Sequence, residues 1–289
     1  MWTEGYVTEI DYTHGYYREL SPGLLRFACL VRGISLPEWK NLKYLELGFG
    51  QGLSINIHAA ACPGEYWGTD FNPGQVANAR SLLSASGAQA RLFDHSFAEL
   101  AERQDLPEFD VIALHGIWSW ISPDNQNIIV DLLHRHLAVG GLLYLSYNTL
   151  PGWASAMPFR HLMQLHSQVA GTEAQGMVGK IETALQFTQH IVDSGALFFR
   201  ANPSVGERMK KVAEQNRHYL AHEYFNADWQ PMYFSEVAHT LENAKLSFAT
   251  TAHLMDHIDS INLAPEVARH VNDILHPVMR ETVRDYHVN

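Results

Sequence analysis

Five short apolar runs, separated by helix-like stretches, constrain the fold of residues 43–148 more than any other feature of the sequence. The runs lie at 44–47, 66–68, 90–93, 111–114 and 142–145, and the stretches between them at 52–61, 73–86, 96–104 and 124–137. Strand-length runs that alternate with helical patterns are typical of βαβ units. Because crossovers are right-handed, the helices cover both faces of the sheet. We therefore expect an α/β fold: a Rossmann-like, doubly wound, mostly parallel sheet.

Regions of different character flank this alternation. A tyrosine-rich start over 6–17 leads into a helix that begins at Ser21-Pro22 and ends near Gly33, with Ser21 as the cap. The tyrosines either form a flap over a ligand or pack on the sheet edge, and both interpretations stay open. After Pro151-Gly152, helices are predicted at 155–170, 177–195 and 204–222, then at 233–246, a returning strand at 246–252, and helices near 264–274 and 277–286.

The pattern divides the chain into four predicted segments. They are an N-terminal flap and helix (1–42), the Rossmann-like core (43–150), a helical cap or insertion (151–230) and a returning helix and strand with a C-terminal region (231–289). A chain of 289 residues can bury an ample core without a disulfide or metal staple. The sequence therefore predicts one large sheet domain with a helical insertion after its fifth strand.

Charge and cysteine content narrow the class of protein. The 20 basic and 31 acidic residues give a net charge of −11, which argues against a general nucleic-acid surface. Two cysteines, Cys29 and Cys62, are too few for a disulfide framework or a cysteine-based zinc site. The chain has neither a membrane-span-length apolar run nor a start shaped like a signal peptide. We expect a cytoplasmic enzyme.

A glycine-rich turn follows the first predicted strand directly. It reads Gly48-Phe49-Gly50-Gln51-Gly52, with Glu46 two residues before it, and it opens a helix. Such a turn lets a ligand approach the backbone at the carboxyl edge of the sheet. The dinucleotide fingerprint Gly-x-Gly-x-x-Gly requires a small residue where Leu53 stands, and a phosphate loop of the Gly-Lys-Ser/Thr type is absent. A tight turn without a ligand is the competing interpretation.

Polar or aromatic residues stand at the ends of the other four predicted strands. These are Asp70, then Asp94 with Ser96 and Phe97, then His115, then Tyr147 and Asn148. Asp70 can accept hydrogen bonds from both ribose hydroxyls of an adenosine cofactor, or cap the helix that opens near Pro73. Asp94 suits either a contact to adenine or a solvated turn. Because the carboxyl ends of parallel strands meet at one edge, these side chains predict a ligand site there.

Several of these motifs resemble a known family. Glu46-Leu-Gly-x-Gly-x-Gly, the acidic end of the second strand and Leu-Ala-Val-Gly-Gly-Leu at 137–142 resemble class I S-adenosylmethionine-dependent methyltransferases. More narrowly, the residues at 115–120 (His-Gly-Ile-Trp-Ser-Trp) and 146–153 (Ser-Tyr-Asn-Thr-Leu-Pro-Gly-Trp) resemble bacterial methyltransferases with a methyltransferase regulatory domain. The residues at 222–234 resemble the opening of that regulatory region. The resemblance covers the chain from about residue 12 onward.

The resemblance implies a cofactor, S-adenosyl-L-methionine, and a role for each matching residue. Gly48, Gly50 and Gly52 would face its methionine end, and Glu46 would hold the loop or the amino group of the cofactor. The remaining cofactor contacts would be Asp70 to the ribose, Asp94, Ser96 and Phe97 around the adenine, and His115 near the sulfonium. Phe49 departs from the commoner small residue of the loop, which leaves the loop's shape open.

The implied reaction is methyl transfer to a protein side chain or a small molecule. Some relatives are protein-lysine methyltransferases that act on outer-membrane proteins, and relatives usually continue well past the position of Asn289, so a closing strand and a further domain would be missing here or replaced. Proximity and desolvation can supply much of the catalysis, so a base is optional. His115 is the first candidate for a base, although a buried structural histidine is an equal alternative, and Tyr147 and Asn148 are candidates for orienting the acceptor.

Other functions remain as alternatives. A nicotinamide-dependent oxidoreductase is disfavoured by Leu53, and a non-catalytic methyltransferase-like module would require a degraded cofactor site. The sequence Asn148-Thr149-Leu150-Pro151 lacks the Asn-Pro-Pro-Tyr signature of enzymes that methylate nucleobase amines. The histidine pairs His218/His222 and His253/His257 lack an identifiable third ligand, so we predict no metal site.

Overall fold

The computed structural model describes residues 6, 7 and 14–288, which form two compact units. One unit contains Tyr6, Val7 and residues 152–229, and the other contains residues 14–151 and 230–288. The first is helical, and the second contains the sheet. Residues 14–42 and 230–288 thus cluster with the sheet, and the division into four segments stays a prediction.

The sheet has five strands among the described residues. They are β1 (Leu42–Leu47), β2 (Gly64–Thr69), β3 (Arg91–Phe93), β4 (Phe109–Leu114) and β5 (Leu137–Leu145), in the order β3-β2-β1-β4-β5. Every neighbouring pair is parallel. The strand order reverses beside β1, which creates the switch point where doubly wound folds bind ligands. The predicted Rossmann-like parallel sheet is therefore confirmed.

Nine helices accompany this sheet among the described residues of its unit. They are α1 (Pro22–Val31), α2 (Leu53–Ala61), α3 (Pro73–Ser86), α4 (Phe97–Ala101), α5 (Pro123–His136), α11 (Phe234–Glu242), α12 (Asp259–Asn262), α13 (Pro265–Asn272) and α14 (Pro277–Val288). Local side chains determine where several of these helices begin. Asn72 caps α3 by accepting from the backbone nitrogen of Gly74, and Ser122 caps α5. Ser21 is the N-cap residue of α1, as predicted, and Pro22 stands in the first turn, although the Ser21 side chain makes no capping bond.

The central strands are buried on both faces, as a parallel sheet requires. Leu45, Leu47, Ile112 and Leu114 belong to one core cluster, whereas Tyr44, Val111 and Ala113 belong to the other. Successive residues of β1 and β4 therefore point to opposite faces. This alternation determines which face of the sheet the side chains directly after each strand end point to.

The helical unit has its own core. Its helices are α6 (Met157–Ala170), α7 (Gly176–Asp193), α8 (Leu197–Ala201), α9 (Pro203–Ala213) and α10 (Arg217–Tyr224). Phe159, Met163 and Ile181 are fully buried in it. Val7 packs against the same cluster, and its backbone nitrogen donates to Asn226 Oδ1 at 2.8 Å. A helical region after β5 is thus confirmed.

Two sequence predictions about elements are wrong. Residues 246–252 form no strand, since Phe248 is 38% exposed and the run pairs with none of the five strands. The predicted helix over 204–222 is two helices, α9 and α10, because Asn216 accepts from the backbone nitrogen of His218 and starts a new helix there. The helix-capping residue Asn216 therefore determines where the helix is interrupted, although the apolar pattern continues through it.

Candidate functional site

The glycine turn joins β1 to α2 at the switch point of the sheet. The backbone nitrogens of Gly48 and Phe49 both approach the carbonyl oxygen of Thr69, at 2.8 and 3.4 Å, so β2 holds the start of the turn. Gly48, Gly50 and Gly52 have φ angles of 68°, 57° and 74°. All three lie in the left-handed region, which residues with a β-carbon adopt at a cost.

The surroundings of the turn glycines show where a ligand can approach. A β-carbon on Gly52 would lie 2.3 Å from the β-carbon of Ala79 in α3, so this glycine is required for packing. A β-carbon on Gly48 would lie 2.0 Å from Cδ1 of Ile117, the end of a side chain that can rotate. At Gly50, no atom of the described residues lies within 4 Å of that position. The backbone of Gly50 is therefore open to a bound molecule.

Asp70 connects the glycine turn to the start of α3. Its Oδ2 accepts from the backbone nitrogen of Gly50 and its Oδ1 from that of Asn72, both at 2.9 Å. When the Gln75 amide is oriented so that both its atoms are satisfied, its nitrogen lies 3.1 Å from each oxygen of Asp70. Burial raises the pKa of Asp70 to about 6, against the effect of the two backbone donors. With the Gln75 amide in this orientation, each carboxylate oxygen accepts from two donors.

Glu46 is a second buried acid beside the turn. It is 2% exposed, and its Oε2 accepts a hydrogen bond from the hydroxyl of Tyr44 at 3.1 Å. Burial, with a smaller contribution from the charge of Asp70, raises the pKa of Glu46 to about 8, while the Tyr44 hydroxyl opposes the shift. Without a ligand, Glu46 is therefore largely protonated at neutral pH. A bound ammonium group would favour the charged form.

The end of β3 contains the residues predicted to surround an adenine. Asp94 is exposed and lies 3.7 Å from Nη2 of Arg80. Ser96 forms a capping box for α4 with Glu99: the Ser96 hydroxyl donates to Glu99 Oε2 at 2.9 Å and accepts from the Glu99 backbone nitrogen at 3.2 Å. Phe97 is half-buried against a core cluster. Ser96 thus has a structural role, and the adenine contacts of all three stay predictions.

His115 lies at the end of β4 among hydroxyl groups. Its Nδ1 lies 3.0 Å from the hydroxyl oxygen of Tyr144 and 3.2 Å from Oγ of Ser146. The Ser146 Oγ also accepts from the backbone nitrogen of Gly116 at 2.8 Å. Burial lowers the pKa of His115, while the charge of Glu19 opposes this shift. Burial thus favours the neutral ring, and the two hydroxyls contact its Nδ1 side.

The tyrosine-rich start of the chain divides between the two units. In the sheet unit, the backbone nitrogen of Tyr17 donates to Ser54 Oγ at 3.0 Å, and its ring lies 4.0 Å from that of His115, centroid to centroid. Tyr6 belongs to the helical unit, where its ring lies 5.4 Å from that of His222. Tyr12 is outside the described residues. Tyr17, Tyr144 and Ser146 were missed as site residues, although Tyr17 stands in the tyrosine-rich run and Ser146 in the quoted motif.

Tyr147 lies on the other side of the sheet from Tyr144, and the backbone of Asn148 bonds to neighbouring segments. Tyr147 packs against the core cluster opposite to the one that contains Tyr144, which bonds His115. Burial raises the pKa of Tyr147, and the charge of Asp285 adds to this shift. The backbone of Asn148 donates to Ser119 Oγ at 2.9 Å and accepts from the backbone nitrogen of Met232 at 3.1 Å. Their roles toward an acceptor stay predictions.

Neither histidine pair forms a metal site in the part of the chain that the structure describes, where no group of three His, Cys, Asp or Glu side chains could hold an ion. Among these described residues, no helix combines the length and the apolar character needed to cross a membrane.

Two family models match the chain. Residues 45–141 match a methyltransferase domain, and residues 216–289 match a predicted methyltransferase regulatory domain. The first match contains the glycine turn, Asp70 and His115, and the second begins within the helical unit at α10. The motifs at 46–52, 115–120 and 222–234 lie within these matches, whereas the motif at 146–153 lies between them.

Sequence relatives span the same regions. The chain is 44% identical over 291 residues to an uncharacterized protein of Synechocystis sp., an alignment that covers 100% of this chain and 57% of that protein. It is 26% identical over 287 residues to an uncharacterized protein of Rickettsia prowazekii, covering 97% of this chain and 50% of the relative. The chain therefore spans about half the length of these relatives.

A solved structure shares the fold. The structure of PKMT2 from Rickettsia typhi in complex with AdoHcy superposes with a TM-score of 0.77 at 23% identity, over 95% of this chain and 52% of that one. The fold is thus a Rossmann-like fold shared with that structure, and residues 45–141 match the model of a methyltransferase domain. More narrowly, the chain combines this match with a match to a predicted methyltransferase regulatory domain, the same two features as in the resemblance predicted from the sequence.

Proposed function

We propose that the protein is an S-adenosyl-L-methionine-dependent methyltransferase. The observation that carries this proposal is the open, left-handed backbone at Gly50, whose amide already bonds to the carboxylate of Asp70. A glycine, which has no side chain, next to an acidic side chain at the switch point can accommodate a ligand that has a small polar end and a ribose. A relative of the same fold bears AdoHcy in its structure, which supports the same cofactor class here.

The residues present fit the cofactor. When bound, it supplies a sulfonium-linked methyl group that is transferred by displacement. Gly50 would accommodate its methionine end, and Asp70 would accept from the ribose hydroxyls in place of the Gln75 amide. Glu46, protonated in the free protein, would ionise beside the ammonium group, because an opposite charge favours the carboxylate. Asp94 and Phe97 are the candidates beside the adenine.

Positioning is the main catalytic contribution that we assign to the chain. The displacement requires in-line approach and a deprotonated acceptor, and holding the two reactants in line in a desolvated site can supply most of the rate. The roles of Tyr147 and Asn148 in orienting the acceptor are part of this proposal. The acceptor is a protein side chain or a small molecule. An acidic chain is compatible with a basic acceptor.

The experiment is a transfer assay with radiolabelled S-adenosyl-L-methionine. The purified chain is incubated with pools of basic proteins and, separately, with pools of small amines and hydroxyl compounds. The proposal predicts enzyme-dependent labelling in one pool and its loss in Gly50→Ala. Cofactor binding without labelling of any pool would favour the non-catalytic module, and binding of a nicotinamide dinucleotide instead would favour the oxidoreductase. A cytoplasmic location and the absence of a nucleic-acid partner stay predictions.

A further inference from the structure

We propose that Tyr144 and Ser146 hold His115 as the neutral tautomer with its proton on Nε2, so that His115 donates a hydrogen bond to a bound molecule and does not act as a general base. The role toward a bound molecule rests on the proposed function. The tautomer itself is a property of the ligand-free protein. The inference changes the role of His115 from proton acceptor to proton donor.

The direction of the hydrogen bonds starts at a backbone donor. The Gly116 nitrogen donates to Ser146 Oγ at 2.8 Å, and this nitrogen can only donate. The Ser146 hydroxyl proton must then point to another acceptor, and Nδ1 of His115 lies 3.2 Å away. The Tyr144 hydroxyl lies 3.0 Å from the same Nδ1 and is also bonded to Ser146. Each hydroxyl brings one proton into this group of three side chains.

Counting protons separates the two tautomers. With Nδ1 unprotonated, Ser146 can donate to the Tyr144 oxygen and Tyr144 to Nδ1, so every proton within the group has an acceptor. With Nδ1 protonated, Nδ1 would itself donate to one hydroxyl oxygen. No acceptor nitrogen would then remain, and one hydroxyl proton would lack a partner within the group. A polar group left unsatisfied in a partly buried site costs about 1–3 kcal/mol.

The surroundings keep both the ring and the tyrosine in the required forms. Burial raises the pKa of Tyr144 to about 12, so its hydroxyl keeps its proton at neutral pH. Burial also disfavours the imidazolium form of His115. The titratable groups facing the ring are Tyr144, Tyr17, whose tilted ring lies 4.0 Å away from centroid to centroid, and Glu19, whose carboxylate is bonded to Arg18. Glu19 favours the imidazolium, but its Arg18 partner offsets that charge.

A hydrogen-bond donor at Nε2 of His115 would bind a different kind of chemical group from the one that a general base would bind. An N–H group at the end of β4 would bond to an oxygen acceptor, such as a carboxylate or a carbonyl oxygen of the cofactor or the methyl acceptor. The side chain of Gln presents an N–H at a reach similar to Nε2, whereas Ala presents none. His115→Gln should therefore keep more ligand affinity than His115→Ala.

The test is heteronuclear NMR of the histidine ring nitrogens in the ligand-free chain at neutral pH. The His115 signals are assigned by their loss in His115→Gln. The proposal predicts a protonated Nε2 and an unprotonated Nδ1, in one form that does not exchange. A protonated Nδ1, or an averaged mixture of tautomers, would overturn it.

Matched variants test whether the two hydroxyls fix the tautomer. Tyr144→Phe combined with Ser146→Ala should give a mixture of tautomers, and Tyr144→Phe with Ser146→Thr, which restores a hydroxyl, should recover the Nε2–H form. Tyr66→Phe is the control, since Tyr66 is equally buried and its hydroxyl has no partner among the described residues. An unchanged tautomer in the folded double variant would show that the hydroxyls do not set it.

The two proposals fail separately. A Nδ1–H tautomer in a chain that binds S-adenosyl-L-methionine would overturn the donor role alone. A Nε2–H tautomer in a chain that does not bind the cofactor would leave the tautomer standing and overturn the proposed function.

Discussion

At the scale of single residues, the site is unusual for its two buried acids. Glu46 and Asp70 sit at the ends of adjacent strands, and burial raises the pKa of both. Two backbone N–H groups donate hydrogen bonds to Asp70, and the Tyr44 hydroxyl donates one to Glu46. Burying acids without a paired cation costs stability, which a protein tolerates where a ligand later supplies the missing charge.

Glu46 should make the stability of the ligand-free protein depend on pH. Between its ordinary pKa of 4.5 and its folded pKa of about 8, the folded chain binds more protons than the unfolded chain. The free energy of unfolding therefore falls as pH rises, by up to about 1.4 kcal/mol per pH unit. We expect Glu46→Gln to gain stability relative to the parent protein from pH 5 to pH 8, as measured by urea unfolding.

The control for this prediction is Glu108→Gln, which makes the same change at an exposed position. Its difference from the parent protein should stay flat over the same pH range. A flat difference for Glu46→Gln as well would contradict the raised pKa.

Two turn glycines should respond differently to alanine. Gly50→Ala introduces left-handed strain of about 1–2 kcal/mol but meets open space. Gly52→Ala adds overlap with Ala79, a further cost of about 1–3 kcal/mol. We expect Gly50→Ala to stay folded and lose at least about tenfold in cofactor affinity, and Gly52→Ala to be the less stable variant in chemical unfolding. Equal cofactor affinity in Gly50→Ala and the parent would show that the open space is not the ligand path.

At the scale of elements, the helix cap formed by Ser96 at the end of β3 allows a structural role of this residue to be distinguished from a role in ligand binding. Ser96→Ala removes the capping box of α4, which should cost about 1 kcal/mol of stability. Because the Ser96 hydroxyl is engaged by Glu99, we expect cofactor affinity to change less than twofold. Calorimetry together with thermal unfolding measures both effects. A large loss of affinity in a stable Ser96→Ala variant would instead support the adenine contact predicted from the sequence.

The sequence predicted the elements whose pattern is local. All five strands and the helices α2, α3 and α5 follow from alternating apolar runs with Gly, Pro, Ser and Asn at their ends. Residues 246–252 have strand propensity but pair with none of the five strands, and pairing is a tertiary property. The side of the sheet that Tyr147 packs against, and the hydroxyls around His115, depend on where alternation in β5 begins. These site features could not be predicted without the strand register.

At the scale of the whole molecule, the ranges matched by the two family models differ from the ranges of the two structural units. The match to the regulatory domain begins at residue 216, whereas the sheet unit resumes at residue 230. The methyltransferase match ends at residue 141, inside β5. The proposed cofactor contacts all lie between Glu46 and His115, so the cofactor claim can be tested on this chain as it stands.

The most direct test is calorimetric titration of the purified chain with S-adenosyl-L-methionine and S-adenosylhomocysteine, in the parent protein, Asp70→Ala and Asp110→Ala. Asp110 is the matched control, because its carboxylate also accepts a backbone N–H, from Lys43 at 2.9 Å, but at the start of β4. We predict saturable binding that Asp70→Ala weakens by about 1.5–3 kcal/mol and Asp110→Ala leaves unchanged. Absence of binding to the folded parent chain, or equal affinity in Asp70→Ala, would contradict the proposed cofactor site.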